Sequence, residues 1–337
     1  MTGAVSPDAA LALAREALEH WGGARDEPCF VKLRENLVFD VTLTDGTRAA
    51  LRLHRPGYQS RAAIGAELDW TGRLAVAGLR VPRPVPTRSG SFTAEAGGRV
   101  ASAVSWLEGT ALGAAGEPLG GTASDQARTM RALGALLARL HSATDRLELP
   151  DGFPRPAWDE EGLLGEAPLW GRFWENPALS MTERGILAEA RDKARNELEA
   201  FRIEGADFGL IHADVLRENV LSGPSGLSLI DFDDSGHGFR MYDLGTALVQ
   251  NLEETALPQL AAALIAGYRA ERPLPEHAAR RLPLFTALRA FASAGWIVTR
   301  MPPGDPRQRF YAERALRMAR IVLERGPDWD PDWELEP

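Results

Sequence analysis

The sequence is poor in the features of secreted and membrane proteins. It has one cysteine, Cys29, which excludes an intramolecular disulfide and favours the reducing cytoplasm. We expect Cys29 to be a small core residue. No run of 18 apolar residues occurs, so no membrane span and no membrane partner are expected. The N-terminal segment lacks a basic start and carries Asp8 and Glu16, unlike a secretion signal.

A surplus of positive charge is also lacking. The formal net charge is -9 at pH 7, which argues against nucleic acid as the main partner. The length of 337 residues is enough for two domains or lobes with a sizeable core. We expect a cytoplasmic monomer or homodimer.

The most informative stretch covers residues 210–244 and reads LIHADVLRENVLSGPSGLSLIDFDDSGHGFRMYDL. Asn219 follows Asp214 by five positions, and a Gly/Pro turn at 222–226 separates two short apolar runs. Two such runs joined by such a turn predict a β-hairpin that ends at Asp231. Because a hairpin holds its ends side by side, we expect Asp214, Asn219 and Asp231 to lie at one edge.

These residue types suit phosphoryl transfer. That reaction needs a carboxylate at the acceptor hydroxyl and oxygen ligands that hold Mg²⁺ against nucleotide phosphates. The order His-x-Asp-x-x-x-x-Asn followed by Asp-Phe is the kinase catalytic pattern. However, Ala213 and Asp233 replace the Arg and Gly of protein kinases, and no Ala-Pro-Glu segment follows.

The stretch resembles the aminoglycoside phosphotransferase and choline kinase branch of the kinase-like superfamily. Within it, the sequence is most similar to type II homoserine kinases and to the stress response kinase A group. The resemblance implies a two-lobed protein kinase-like α+β fold, with an antiparallel-sheet nucleotide-binding lobe over residues 1–106 and a mainly helical catalytic and acceptor-binding lobe over 107–337.

The resemblance also implies the cofactors and the roles of the central residues. It implies ATP and Mg²⁺, with Asn219 and Asp231 as metal ligands and Asp214 at the acceptor hydroxyl. In this branch the aspartate at position 243 lies on a helix and holds the catalytic loop in place. His141 is expected to be a structural histidine.

Three strand-like runs at 29–33, 37–43 and 49–54 predict an antiparallel sheet in the first lobe. Arg52 stands where the resembling family carries a lysine that contacts the nucleotide phosphates, and Glu67 on the next helix is the acid expected to pair with it. The alternatives are a surface cation for Arg52 and a solvated helix residue for Glu67.

The glycine-rich and Walker phosphate loops are also missing. The turn Arg34-Glu35-Asn36 takes the corresponding place, and Asn36 is a candidate for phosphate contact. The segment around Trp106 and Leu107 corresponds to the hinge whose backbone binds adenine in the resembling family. For the Trp106 side chain we favour a core position over stacking on the base.

The remaining chain is predicted to be mostly helical. A helix capped by Ser124 is expected to reach about residue 143, and a capping box at Ser180 predicts a helix to about residue 201. Further helices are expected at 241–252, 256–271, 275–300 and 305–325. The tail 327–337 is expected to be extended.

The acceptor is expected to be a small molecule with a hydroxyl group, such as an aminoglycoside, an amino alcohol or a homoserine-like compound. Asp233, Asp234 and Glu218 are candidates to hold a cationic group, or else form a solvated charged rim. One alternative is a protein Ser/Thr kinase of the stress response kinase A type. A second is a nucleotide-binding pseudokinase, which retention of the three central residues disfavours.

Overall fold

The computed structural model describes residues 6–33, 36–150 and 152–324. The chain divides into two compact units. Unit 1 consists of Met1–Gly109, Leu147–Arg155 and Ser228–Asp233, and unit 2 of Thr110–Arg146, Pro156–Leu227 and Asp234–Pro337. The sequence did not indicate that 147–155 and 228–233 group with the first unit, and the lobe boundary at residue 106 stays a prediction. Residues 34, 35 and 327–337, for which a turn and a tail were expected, lie outside the described residues.

Unit 1 is built on a five-stranded antiparallel sheet with strand order β1-β2-β3-β5-β4. Its elements are α1 (Pro7–Leu18), β1 (Cys29–Leu33), β2 (Leu37–Thr42), β3 (Arg48–Leu53), α2 (Arg61–Val76), β4 (Thr93–Ala96) and β5 (Arg99–Ser105). Alternate residues of β2 are buried, as expected for a sheet with one face on a core. The side chains of Ser6 and Ser60 cap the two helices. Cys29 is exposed, so the expectation of a core position was wrong.

Unit 2 is mainly helical. Its helices are α3 (Ala123–Thr144), α4 (Glu160–Leu164), α5 (Met181–Ile203), α6 (Arg240–Val249), α7 (Leu257–Arg269), α8 (Glu276–Ala279), α9 (Leu282–Arg300) and α10 (Pro306–Glu324). Helix α3 packs on α7, and α9 packs on α6 and α10. At Gly134 on α3, a Cβ would lie 2.0 Å from the Leu264 carbonyl oxygen, so glycine permits the close approach of α7. The sheet-plus-helices architecture confirms the expected fold class.

Short strands complete the fold. They are β6 (Thr110–Ala111), β7 (Ala157–Trp158), β8 (Phe208–Ile211), β9 (Val220–Gly223), β10 (Gly226–Leu229) and β11 (Gly236–Phe239). Strands β9 and β10 are the predicted hairpin, and β6 pairs with β9. The sheet with order β7-β11-β8 was not predicted, because its strands are too short to show a periodic pattern.

Two helix predictions need correction. The N-cap of α3 is Thr122 and not Ser124; Thr122 and Asp125 form a capping box. The predicted helix 275–300 is broken into α8 and α9, since Arg281 is the N-cap of α9 and Pro283 occupies its first turn. The span Glu276–Arg300 passes a length and composition test for a membrane helix, but 83% of its window is buried inside the protein. It therefore has the burial of a core helix.

Candidate active site

The loop of unit 2 that carries the candidate catalytic residue Asp214 follows β8, which pairs with β11 in antiparallel register. Ala213 has a φ of 66°, a left-handed conformation that is strained for a residue with a Cβ. The Asp243 carboxylate accepts hydrogen bonds from the backbone N–H groups of His212 (2.9 Å) and Ala213 (2.7 Å). These two bonds hold the strained turn, so Asp243 makes the contacts expected from the resemblance.

A buried histidine supports Asp243 from α3. His141 Nε2 lies 3.0 Å from Asp243 Oδ2, and His141 Nδ1 lies 2.8 Å from the Tyr268 hydroxyl. Burial, the largest effect, lowers the pKa of His141, although its bond to Asp243 acts in the opposite direction. Burial opposes the charge of Asp243, but the bond from His141 holds its pKa below the usual value. A neutral His141 that donates to an ionised Asp243 satisfies both shifts, and His141 is structural, as expected.

Asp214 is held from two sides. Its Oδ2 accepts a 2.7 Å hydrogen bond from Asn219 Nδ2, and its Oδ1 accepts a 2.7 Å bond from Arg289 Nη2 on α9. An ionised carboxylate has about four lone-pair sites, so each oxygen keeps capacity for a further donor. The predicted neighbours Asp214 and Asn219 are therefore in direct contact.

Arg289 is a residue that the sequence analysis missed. Its side chain is 4% exposed, its guanidinium lies 4.7 Å from the centre of the Trp170 ring, and it also bonds Ser293. Burial works against the charge, yet Asp214 and then Tyr242 raise the pKa of Arg289. One feature of the sequence could have indicated Arg289: it lies in the middle of a mainly apolar helix. An arginine buried there is expected to have an acidic partner.

Only one of the two polar atoms of the Asn219 side-chain amide forms hydrogen bonds with described residues. Its nitrogen donates to Asp214, whereas its Oδ1 is buried and has no hydrogen-bond partner among the described residues. A buried amide oxygen without a donor costs about 1–3 kcal/mol. An oxygen ligand of this kind suits a hard cation such as Mg²⁺, so Asn219 fits the metal role. Asp214 and Asn219 belong to unit 2 and Asp231 to unit 1, and their convergence stays a prediction.

In unit 1 the Arg52–Glu67 pair is present. Arg52 Nη1 on β3 donates to Glu67 Oε1 on α2 at 2.8 Å, and the side chains are 9% and 2% exposed. Burial opposes the Arg52 charge, but Glu67, Asp233 and Asp231 together raise its pKa. Arg52 Nε and Nη2 are buried, and neither has a hydrogen-bond partner in the part of the chain that the structure describes. The pair is neither a surface cation nor a solvated acid, and the guanidinium has donors left for an anionic ligand.

Asp231 contacts a lysine that the sequence analysis did not consider. Lys32 Nζ on β1 lies 3.1 Å from Asp231 Oδ2, and both side chains are about one-third exposed. Asp231 has a φ of 68°, so it shares with Ala213 a strained conformation of the kind found at functional sites. The one feature of the sequence that could have indicated Lys32 is that it is a lysine within the predicted strand 29–33.

Asn36 and Asp233 contact each other within unit 1. Asn36 Nδ2 donates to Asp233 Oδ2 at 3.3 Å, while Asn36 Oδ1 accepts from the Arg55 backbone N–H at 3.1 Å. Asp233 is 4% exposed, and His54 Nδ1 lies 3.9 Å from its Oδ1. Burial, then the charge of Arg52, lowers the pKa of His54 well below its usual value. Both polar atoms of the Asn36 side chain thus form internal hydrogen bonds, and its contact with phosphate stays a prediction.

The other predicted site residues have varied surroundings. Glu218 accepts hydrogen bonds from the Ala115 N–H (3.2 Å) and from Gln250 (2.8 Å). The backbone oxygen of Asp234 accepts from the Trp158 indole at 2.8 Å. Trp106 and Leu107 are half-buried, and the Arg48 guanidinium lies 4.5 Å from the centre of the Trp106 ring. The prediction that Trp106 is a core residue was wrong, because the ring lies at the surface under a cation.

Known proteins share this fold. The structure of a microcompartment-associated aminopropanol kinase matches with a TM-score of 0.80 at 29% identity, over 95% of this chain and 99% of that chain. An amicoumacin kinase in complex with AMP-PNP and Ca²⁺ matches with a TM-score of 0.71 at 20% identity, over 90% of each chain. A homoserine kinase of Methylobacterium radiotolerans is 32% identical over 250 residues, which is 70% of this chain and 71% of the relative.

The fold and the Asp-Asn catalytic loop define a kinase-like phosphotransferase. The sequence model of the phosphotransferase enzyme family, APH, matches residues 30–282. The chain belongs to that family and is a phosphotransferase related to small-molecule kinases. The family as a whole implies the use of ATP. Within residues 6–33, 36–150 and 152–324, no group of three or more His, Cys, Asp and Glu side chains is arranged to hold a metal ion.

Proposed function

We propose that this enzyme transfers the γ-phosphoryl group of ATP, with Mg²⁺, to the hydroxyl of a small amino-bearing acceptor of the amino alcohol or homoserine class. The observation that carries the proposal is the Asp214 carboxylate, fixed by Asn219 and Arg289 beside a turn that Asp243 holds. The acceptor class is supported by the likeness to an aminopropanol kinase and to a homoserine kinase.

Asp214 is proposed to orient the acceptor hydroxyl. The hydroxyl oxygen forms the new P–O bond, the bond between the γ-phosphorus and the bridging oxygen breaks, and ADP leaves. The hydroxyl proton passes to Asp214. Because Arg289 and Asn219 both bond this carboxylate, Asp214 is held in place both to orient the hydroxyl and to accept its proton as a general base.

Unit 1 is proposed to bind the nucleotide phosphates. Arg52 has two donors, Nε and Nη2, that have no partner among the described residues. Glu67, whose side chain is 2% exposed, fixes the orientation of the guanidinium. Lys32, one-third exposed beside Asp231, adds a second cation with a flexible stem. The backbone at Trp106 and Leu107 is proposed to bind adenine, as the resemblance implies. Asn36 is proposed to contact a phosphate once its side-chain nitrogen exchanges Asp233 for the ligand.

Asn219 and Asp231 are proposed to supply oxygen ligands for Mg²⁺. The unpartnered Oδ1 of Asn219 supports this role on one side. On the other, the contact of Asp231 with Lys32 shows a carboxylate that already attracts a cation. When bound, Mg²⁺ neutralises charge on the phosphates. We expect Asp231→Ala to abolish turnover, since a neutral asparagine alone is a poor magnesium ligand.

Among the three acids considered for the acceptor amine, Asp234 has the best support. Asp214 and Asp234 both act electrostatically on the Tyr242 hydroxyl, whose pKa is raised chiefly by burial. The geometry agrees, because the Trp158 indole that bonds the Asp234 backbone oxygen is stacked on Tyr242 with ring centres 5.5 Å apart. Glu218 has both oxygens in internal bonds, and Asp233 is buried, so we rank these two below Asp234.

The test is a phosphate-transfer screen with ATP and Mg²⁺ over aminoglycosides, amino alcohols, homoserine and lysate protein, run with wild type and with Asp214→Asn. The proposal expects a phosphorylated small molecule whose formation drops in the variant. Transfer to protein alone would support the protein kinase alternative. Absence of any ATP turnover would support a pseudokinase and contradict the proposal.

A further inference from the structure

One buried arginine of unit 2 differs from the rest. Arg314 on α10 is 8% exposed, and its guanidinium makes no hydrogen bond or ion pair with any described residue. The other buried arginines that the structure describes in this unit each have a carboxylate partner: Arg217 with Glu254, Arg240 with Asp145, Arg281 with Glu204 and Arg289 with Asp214.

The surroundings of Arg314 are aromatic and cationic. Its guanidinium lies 4.7 Å from the centre of the Phe310 ring and 6.0 Å from that of Tyr311. Burial lowers the pKa of Arg314, and the charges of Arg289 and Arg217 act in the same direction. Glu253, the acid that acts on Arg314, is paired at 2.8 Å with Arg317. No Arg314 nitrogen is among the fully buried unpartnered atoms of the described residues, so the guanidinium keeps access to a ligand, and an anionic ligand would supply the acid that it lacks.

A row of aromatic rings connects Arg314 to the proposed catalytic carboxylate. Arg289, which bonds Asp214, lies over Trp170. The ring centres of Trp170 and Trp296 are 6.3 Å apart, and those of Trp296 and Tyr311 are 6.4 Å apart. Tyr311 also acts electrostatically on both Arg289 and Arg314. The charge of Arg289 also acts directly on Arg314, so these rings and the two guanidinium groups form one connected cluster that includes the Asp214–Arg289 pair.

We propose that Arg314 binds the carboxylate of the acceptor, so that the acceptor is a hydroxy amino acid rather than an amino alcohol. The inference rests on the proposed function, because it assigns a substrate class to the same site. A guanidinium recognises a carboxylate through two parallel hydrogen bonds, and the partly exposed rings of Trp296 and Tyr311 suit a short aliphatic chain. With Asp234 near the amine, the site has one group for each charge of an amino acid.

The test uses two matched pairs of acceptors that differ only in the carboxylate: homoserine with 3-aminopropan-1-ol, and threonine with 1-aminopropan-2-ol. We expect a higher kcat/KM for the carboxylate member of the preferred pair. Arg314→Gln should raise KM for that member by about 10- to 100-fold, the range for a hydrogen bond to a charged group, with little change for the amino alcohol. Arg320→Gln, an exposed arginine on the same helix, should change neither.

Stability and direct binding separate this role from a structural one. Since Arg314 lacks an acid partner, Arg314→Gln should keep or raise Tm. A lower Tm with equal loss for both members of a pair would make Arg314 structural and overturn the inference. Preference of the wild type for the amino alcohols would overturn it while the proposed function stands. If no acceptor is phosphorylated, the proposed function falls, and calorimetric titration with homoserine still decides whether Arg314 binds the carboxylate.

Discussion

The Arg52–Glu67 pair of unit 1 and the Asp214–Arg289 pair of unit 2 are both buried, but they differ in which partner is the more exposed. In the Arg52–Glu67 pair the arginine is the more exposed partner, at 9% against 2%. In the Asp214–Arg289 pair the carboxylate is the more exposed, at 16% against 4%. Since removal of either partner leaves a buried charge, a buried pair alone does not reveal which partner has the function. In these two pairs we expect the partner with the greater access to solvent to be the one that meets the ligand.

The largest expected effect is on the carboxylate of the second pair. Asp214→Asn keeps the shape and removes the charge, so the rate constant for transfer should fall by about 10²- to 10⁴-fold. ATP affinity should barely change, because the lost group faces the acceptor. Single-turnover transfer and ATP titration measure the two quantities. Asp192→Asn, an exposed aspartate on α5, is the matched control, and an unchanged rate in Asp214→Asn would refute the assignment.

The arginine of the first pair should show the converse behaviour. Arg52→Ala should weaken ATP binding by about 10- to 100-fold, the loss of a hydrogen bond to a charged group. Arg52→Lys should retain much of the affinity, because a lysine is the usual residue here in the resembling family. Arg61→Ala, which removes an exposed arginine, serves as the control. Equal ATP affinity of Arg52→Ala and wild type would reduce Arg52 to a structural cation.

Glu67 should matter more for stability than for catalysis. Glu67→Gln leaves Arg52 buried without its acid, which should lower the free energy of unfolding by about 3–5 kcal/mol. Its effect on ATP affinity should be smaller than that of Arg52→Ala, because Glu67 acts through Arg52. In urea unfolding, a double variant with methionine at both positions should recover much of the loss. No recovery would mean that Glu67 stabilises the unit by other contacts.

The smallest effect concerns two buried histidines, His54 in unit 1 and His141 in unit 2. Both pKa values lie below the usual 6.5, in each case mainly because of burial. Their contribution is therefore constant above about pH 6.5, and stability is lost as the pH falls below it, by up to about 1.4 kcal/mol per pH unit for each histidine. Urea unfolding between pH 7 and 5 should show this slope, and His54→Asn should reduce it. An unchanged slope in that variant would contradict a neutral His54.

The features that the sequence predicted correctly are local. The strands β1, β2 and β3, the β9–β10 hairpin and the capping box at Ser180 follow from strand, turn and capping chemistry within a few residues. The Asp243 clamp and the Arg52–Glu67 pair were anticipated because the motif order resembles a known family. Local chemistry therefore determines the strands, the turn and the cap, whereas the contacts between distant residues were predicted only through the resemblance.

The features that were missed depend on packing between distant segments. Arg289 meets Asp214 across 75 positions, and Lys32 meets Asp231 across 199. With 38 lysine and arginine residues in the chain, no local pattern selects these two. Trp106 and Cys29 were misplaced for a related reason: apolar character favours burial, but the neighbouring elements determine whether a covering surface exists.

The central claim is that the more exposed partner of each pair meets the ligand, the nucleotide at Arg52 and the acceptor at Asp214. The most direct measurement is ATP affinity and single-turnover transfer at saturating ATP, made side by side for Arg52→Ala and Asp214→Asn. We predict that Arg52→Ala loses mainly affinity for ATP and that Asp214→Asn loses mainly the rate of transfer. If Asp214→Asn instead loses ATP affinity and transfers at the normal rate once saturated, the roles assigned to the two pairs are contradicted.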